Sequence, residues 1–277
     1  MEANRNISET IINTINTIFG NMFSSIDTSL YKTLDNLIFI DSNILKDKYF
    51  ERIFGTSASN GILLICNSLI IGFVIYYAIK LLGRNFSDTK IENPWAFVLK
   101  IIIFVLCMNS AYFLMQLLLD VNSNITLAIK SIGEDIFKKN ISFANLIENI
   151  NKNLNFAEDG LNVFSVDGLI KGTLTMSMLN LLTVYSLRYI MVKIFVLLSP
   201  VAILSLSIER TSWVFRMWIK NLSSLLIIQI VVSIVLLILF SMDLTDSEVM
   251  TKFIYLGGIY ALIRTNSFIK EFIMGGR

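Results

Sequence analysis

The sequence predicts an all-α integral membrane protein, with five transmembrane helices and amphipathic helices outside the bilayer. Three observations predict it. With 55% hydrophobic and only 16% charged residues, the chain is too apolar and too charge-poor for an ordinary soluble domain. Several segments keep about 20 apolar residues together, the length needed at about 1.5 Å per residue to cross a hydrocarbon core of about 30 Å. Finally, a chain with 2 prolines and 13 glycines, and with no ten-residue alternation, lacks the pattern of a β-barrel.

Residues 1–60 read as an external amphipathic region, because Ile7, Ile11, Ile15, Ile18 and Met22 recur at helical spacing with Ile12, Phe19 and Phe23 beside them. The opening MEANRNISETIINTINTIFG has no basic start followed by a compact apolar run and a small-residue cleavage site. The first span is therefore expected to be an uncleaved anchor. Residues 61–119 hold the first two spans, Gly61–Leu82 and Trp95–Leu119, joined by a basic loop. Ser68 and Gly72 give the first a small-residue face for close packing, and Asn93-Pro94 gives the second a capped start. Residues 120–172 read as an external helical loop. Two amphipathic stretches fill it, Ile125, Ile129, Ile132 and Ile136, then Phe143, Ile147, Ile150 and Leu154.

Residues 173–277 hold the last three spans, Leu174–Leu198, Leu222–Phe240 and Val249–Ile269, with an elbow over residues 199–221. The third span has two frames. In one it starts near Gly172, Arg188 snorkels to the headgroups, and the Pro200-interrupted remainder lies as an interfacial or re-entrant helix buried against protein. In the other the crossing runs from Tyr189 to Ile208. Gly257 and Gly258 suit close packing of the fifth span.

Charge distribution sets orientation, since short cytoplasmic loops collect Lys and Arg. Lys80, Arg84, Lys90 and Lys100 surround the first connection; Arg188, Lys193, Arg210, Arg216 and Lys220 surround the elbow; Arg264, Lys270 and Arg277 lie near the C-terminus. Those regions are expected inside, giving N-out and C-in. The overall balance is only +2, too small to argue for nucleic acid.

Catalytic chemistry starts from a deficit, because histidine is absent. No catalytic, cofactor or metal site is expected. Cys66 and Cys107 lie in different apolar segments, and Lys193 beside Ser199 is explained by an interfacial lysine. No Asp or Glu falls within the spans, which argues against a proton-coupled carrier. Uncharged polarity is present instead. Thr173, Ser177, Asn180 and Thr183 step along one helical face toward Arg188; Asn109, Tyr112 and Gln116 form a second row, and Gln229 with Ser233 a shorter one. Such rows line a conduit, contact a subunit, or bond helix to helix within one protomer. In the elbow, Glu209, Arg210, Arg216 and Lys220 interleave with Trp213, Phe215 and Trp218. A membrane interface explains that mixture better than a single-strand nucleic-acid groove, since no second basic patch accompanies it.

The order of these features resembles the TrbL-type family, the polytopic inner-membrane subunits of type IV secretion and conjugation machines. Leu198, Ser199 and Pro200, then Trp213 and Trp218, then an apolar helix carrying Gln229, carry the resemblance. It implies a non-enzymatic channel or platform subunit that helps pass a DNA–protein or protein substrate across the cytoplasmic membrane. The expected partners are other secretion-channel subunits, ATPases or a coupling protein at the elbow, external cell-wall-processing subunits, further copies of the chain, and transiently the substrate. The membrane permease of an ATPase-driven exporter is the alternative. The richness in Ile, Asn and Lys points to an AT-rich bacterial genome, of the kind found among Gram-positive species.

Overall fold

The computed structural model describes residues 10–18, 20–21, 33–55, 61–82, 93–153, 165–207, 211–242 and 249–274. Ile7, Phe19, Met22, Phe23, Arg84, Lys90, Leu154, Glu209, Arg210 and Arg277 lie outside the described residues. Every regular element among the described residues is helical: α1 Lys48–Phe54, α2 Ile62–Leu82, α3 Pro94–Asn109, α4 Ala111–Phe137, α5 Phe143–Asn153, α6 Val166–Leu197, α7 Ser199–Ser205, α8 Ser212–Ser241 and α9 Val249–Met274. A 3-10 turn spans Ser42–Leu45, and residues 10–18 and 33–38 are also helical. Ile62–Ile79, Ala111–Phe137, Gly168–Leu197 and Ser212–Ser241 are long and apolar enough to cross a bilayer, and Pro94–Asn109 is a shorter apolar helix. The chain is an all-α membrane protein.

Local chemistry explains the helix starts and stops. Asp47 caps α1 by accepting from the Tyr49 N–H, and Gly55 ends it at φ 98°, the left-handed conformation that glycine adopts without penalty. Asn93 caps α3, where Pro94 loses no bond at the first helical position.

Three expected boundaries are corrected. Trp95–Leu119 is not one rod: it breaks at Ser110, where φ −86° and ψ 0° end α3 after 16 residues, about 24 Å. The Asn109 amide donates to the Val105 carbonyl at 2.8 Å, the local competition by which short polar side chains weaken helix continuation. From Ala111 the chain then stays helical for 27 residues, so α4 runs through the expected span–loop junction at residue 120. The elbow is divided in the same way: α7 is short and buried, whereas Ser212–Asn221 forms the first turns of the 30-residue α8. Neither Pro nor Gly interrupts that helix, and exposed charges do not end one.

Two compact units make up the chain. The first comprises residues 1–39, 123–189 and 227–277. Its core includes Leu34, Ile38, Phe143, Leu174, Leu181, Tyr185, Val232 and Ile259. A Cβ on Gly133 would meet Leu237 at 2.5 Å and Ile141 at 2.9 Å, and one on Gly258 would collide with Leu239. Glycine thus sets the closeness of approach at both places.

The second unit comprises residues 40–122 and 190–226. Here α7 packs on α3 and α2. Tyr77 of α2 stacks on Phe97 of α3 with centroids 3.5 Å apart and planes 8° from parallel. Phe54 meets Tyr112 edge-on at 5.2 Å, and the Tyr112 hydroxyl donates to the Leu45 carbonyl at 2.9 Å. The turn at residues 42–45 is thereby fastened to α4.

Candidate functional site

Within the first unit, α6 buries Leu174, Met178, Leu181, Tyr185 and Arg188 along one stripe at helical spacing. Arg188 is 2% exposed. Its Nη1 donates to the Ile38 carbonyl at 2.8 Å and its Nη2 to Gln229 Oε1 at 3.2 Å. The expected snorkelling of Arg188 to headgroups is therefore corrected: two acceptors inside the protein hold the guanidinium. A buried cation demands such acceptors, because desolvation without hydrogen bonds is expensive. Tyr185, one turn earlier, donates its hydroxyl to the Leu262 carbonyl at 3.3 Å. Gln229 and Ser233 are buried too, with the Ser233 hydroxyl donating to the Gln229 carbonyl at 3.0 Å. Residue 38 of the expected external region and helices α6, α8 and α9 thus share one polar junction.

A second junction in the same unit was not foreseen. Asp35 accepts from the Phe143 N–H at 3.1 Å and the Ala144 N–H at 3.5 Å, capping α5 from a distant part of the chain. Burial pushes its carboxyl above the usual carboxylate range, opposed by those N–H groups and by Lys130. Lys130 Nζ lies 3.3 Å from the centroid of the Phe39 ring. Nothing local in sequence marks either junction, since Ile38 contributes a backbone oxygen and Asp35 lies more than 100 positions from α5.

The polar row Thr173, Ser177, Asn180 and Thr183 does not join Arg188 on the buried stripe. Thr173, Asn180 and Thr183 are exposed and Ser177 is half-buried. Thr173 and Thr183 donate to the Leu169 and Leu179 carbonyls of their own helix. In the second unit Asn109 and Asn67 exchange amide hydrogen bonds at 3.3 Å between α3 and α2, and Gln116 is half-buried on α4. Asn109 therefore joins helices within the protomer.

The elbow residues separate by burial. The Ser199 hydroxyl donates to the Val196 carbonyl at 2.7 Å, and Pro200 is buried. Lys193 Nζ lies 5.7 Å from the centroid of the Phe50 ring. Trp218 is buried and its indole N–H donates to the Phe195 carbonyl at 2.8 Å. Trp213, Arg216 and Lys220 are exposed. Of the small residues, only Gly258 has a close neighbour where a Cβ would stand; Gly72 and Gly257 face open space, and Ser68 is exposed. Close packing thus accounts for Gly258 alone of the four.

Among the described residues, no three His, Cys, Asp or Glu side chains gather where a metal ion could be held. Searches against protein-family models and against curated proteins return no match.

Proposed function

We propose that the chain is a non-enzymatic channel or platform subunit of a type IV secretion apparatus, working in a bacterial cytoplasmic membrane. It crosses that membrane five times, N-out and C-in, and meets ATPases or a coupling protein on the inner side. On the outer side it meets cell-wall-processing subunits. The observation that supports a subunit of a larger assembly is the outward row Thr173, Asn180 and Thr183 on the apolar α6. Met176 and Leu187 are exposed beside them and both threonine hydroxyls donate to their own helix, so it is the Asn180 carboxamide that is better matched by a neighbouring subunit than by lipid tails. The TrbL-like run from Leu198 to Gln229 supports the secretion assignment.

Replacing Asn180 by Leu together with Thr183 by Val tests the reading. Substrate transfer and co-purification with secretion-channel proteins should fall about tenfold, the equivalent of about 1.4 kcal/mol of lost helix–helix association, while membrane insertion is kept. Unchanged transfer and recovery would overturn the reading. Co-purification with a nucleotide-binding subunit would favour the exporter permease.

A further inference from the structure

Helix α1 stands where the chain enters the bilayer. The apolar stretch Ile62–Ile79 of α2, 18 residues long, extends about 27 Å and nearly fills a hydrocarbon core of about 30 Å, so Gly61 marks the edge of that core. A Cβ on Gly61 would meet the Ile53 carbonyl oxygen at 2.6 Å and the Arg52 carbonyl oxygen at 2.8 Å. The last turn of α1 therefore rests on that edge, at the level of the lipid headgroups.

Three arcs run round α1. Phe50 and Phe54, one turn apart, are buried, and Phe54 meets Tyr112 edge-on. About 100° round the helix from them, Tyr49 and Ile53 are 73% and 52% exposed. About 100° further on, Lys48 and Arg52 are exposed as well. The aromatic contact fixes the rotation of the helix, so neither outward pair can turn into the core. The acidic neighbours have other roles: Asp47 accepts from the Tyr49 N–H as the cap, and Glu51 Oε1 lies 3.2 Å from the Tyr112 hydroxyl. An exposed apolar pair set between the protein core and a row of cations is the order of a helix lying in a membrane interface. Tyrosine suits that level with its ring in the apolar layer and its hydroxyl in water, and the long stems of Lys and Arg reach from there to phosphate.

We propose that the outward face of α1 docks on the bilayer surface, with Tyr49 and Ile53 at the boundary of headgroups and acyl chains and Lys48 and Arg52 pairing with the phosphates of anionic phospholipids. The Arg52 fork matches two phosphate oxygens, and Lys48 adds a point charge beside it. Every residue of this surface belongs to the second unit. The inference applies in either leaflet and stands apart from the secretion reading.

A bimane fluorophore on Ile53→Cys tests it in the full-length protein, with Cys66 and Cys107 replaced by Ala. The protein is reconstituted in vesicles of equal phosphatidylglycerol and phosphatidylcholine, brominated on one lipid or on the other. Both should quench the label, brominated phosphatidylglycerol about threefold more strongly. Lys48→Gln with Arg52→Gln should bring the two to equality. The charge-preserving pair Lys48→Arg and Arg52→Lys should keep the difference, which separates lost charge from lost folding. Equal quenching by the two lipids before any charge is removed would overturn the proposal, as would a preference that survives the neutral pair. So would quenching by aqueous iodide alone, which places residue 53 in water, or by neither lipid nor iodide, which places protein over it.

Discussion

A guanidinium on a buried helix face needs every nearby acceptor it can reach, and Arg188 obtains two from chain segments 150 and 41 positions away. Gln229→Leu removes one acceptor and should destabilise the protein by about 1.5–3 kcal/mol. Arg188→Met should cost a similar amount, because it strands the Ile38 carbonyl and Gln229 Oε1. Since the two side chains touch, the double substitution should cost less than the sum of the singles, as measured by thermal unfolding in detergent. Strict additivity would show that the bond carries no coupling energy. The sequence marks Gln229 and Arg188 as polar residues in apolar helices, but gives no sign that they meet. Periodicity reports the face of a residue on its own helix and says nothing about the partner across from it.

Adjacent residues on one helix can have opposite packing roles, as α9 shows. Gly258→Ala places a methyl against Leu239 and should destabilise by about 1–3 kcal/mol. Gly257→Ala meets nothing within 4 Å and should be neutral or stabilise by up to about 1 kcal/mol through helix propensity. Parallel melting curves check the contrast, and equal shifts would refute it. From sequence, both glycines suit close packing; only the neighbouring helix distinguishes them. The stripe Ile125, Ile129, Ile132 and Ile136 on α4 is likewise legible as amphipathic, yet Ile129 is half-buried and the other three are exposed while Asn122 and Thr126 are buried. Hydrophobic periodicity identifies the helix correctly. It does not establish that the apolar side faces protein within the protomer, because which face is covered depends on what packs against it.

At the scale of the whole molecule, orientation rests on the distribution of Lys and Arg other than Arg188, whose guanidinium is held inside the protein by the Ile38 carbonyl and Gln229. With Cys66 and Cys107 replaced by Ala, single cysteines at Ser142 and Ser212 provide the check. An impermeant maleimide applied to intact cells should label Ser142→Cys and leave Ser212→Cys unlabelled until the membrane is opened. Labelling of both from one side would overturn the proposed N-out, C-in arrangement. The division into two units was not legible in the sequence, whose charge and hydropathy pattern suggested four consecutive segments. Each unit collects stretches far apart in the chain, including residues 1–39 with 123–189 and 227–277. Such groupings depend on long-range contacts, which local composition does not encode.

By itself the sequence determined the all-helical membrane class, the presence of the apolar helices α2, α6 and α8 though not their ends, and the cap of α3, because each follows from composition or from residues a few positions apart. Only the tertiary structure decided that Leu34, Ile38 and Ile40 are buried in the core, that Arg188 points inward, and that Arg216 and Lys220 of α8 stay exposed. Those outcomes depend on which distant segment offers a carbonyl, a ring or a close-packed surface. That choice is made by the folded chain as a whole and leaves no mark on the local pattern.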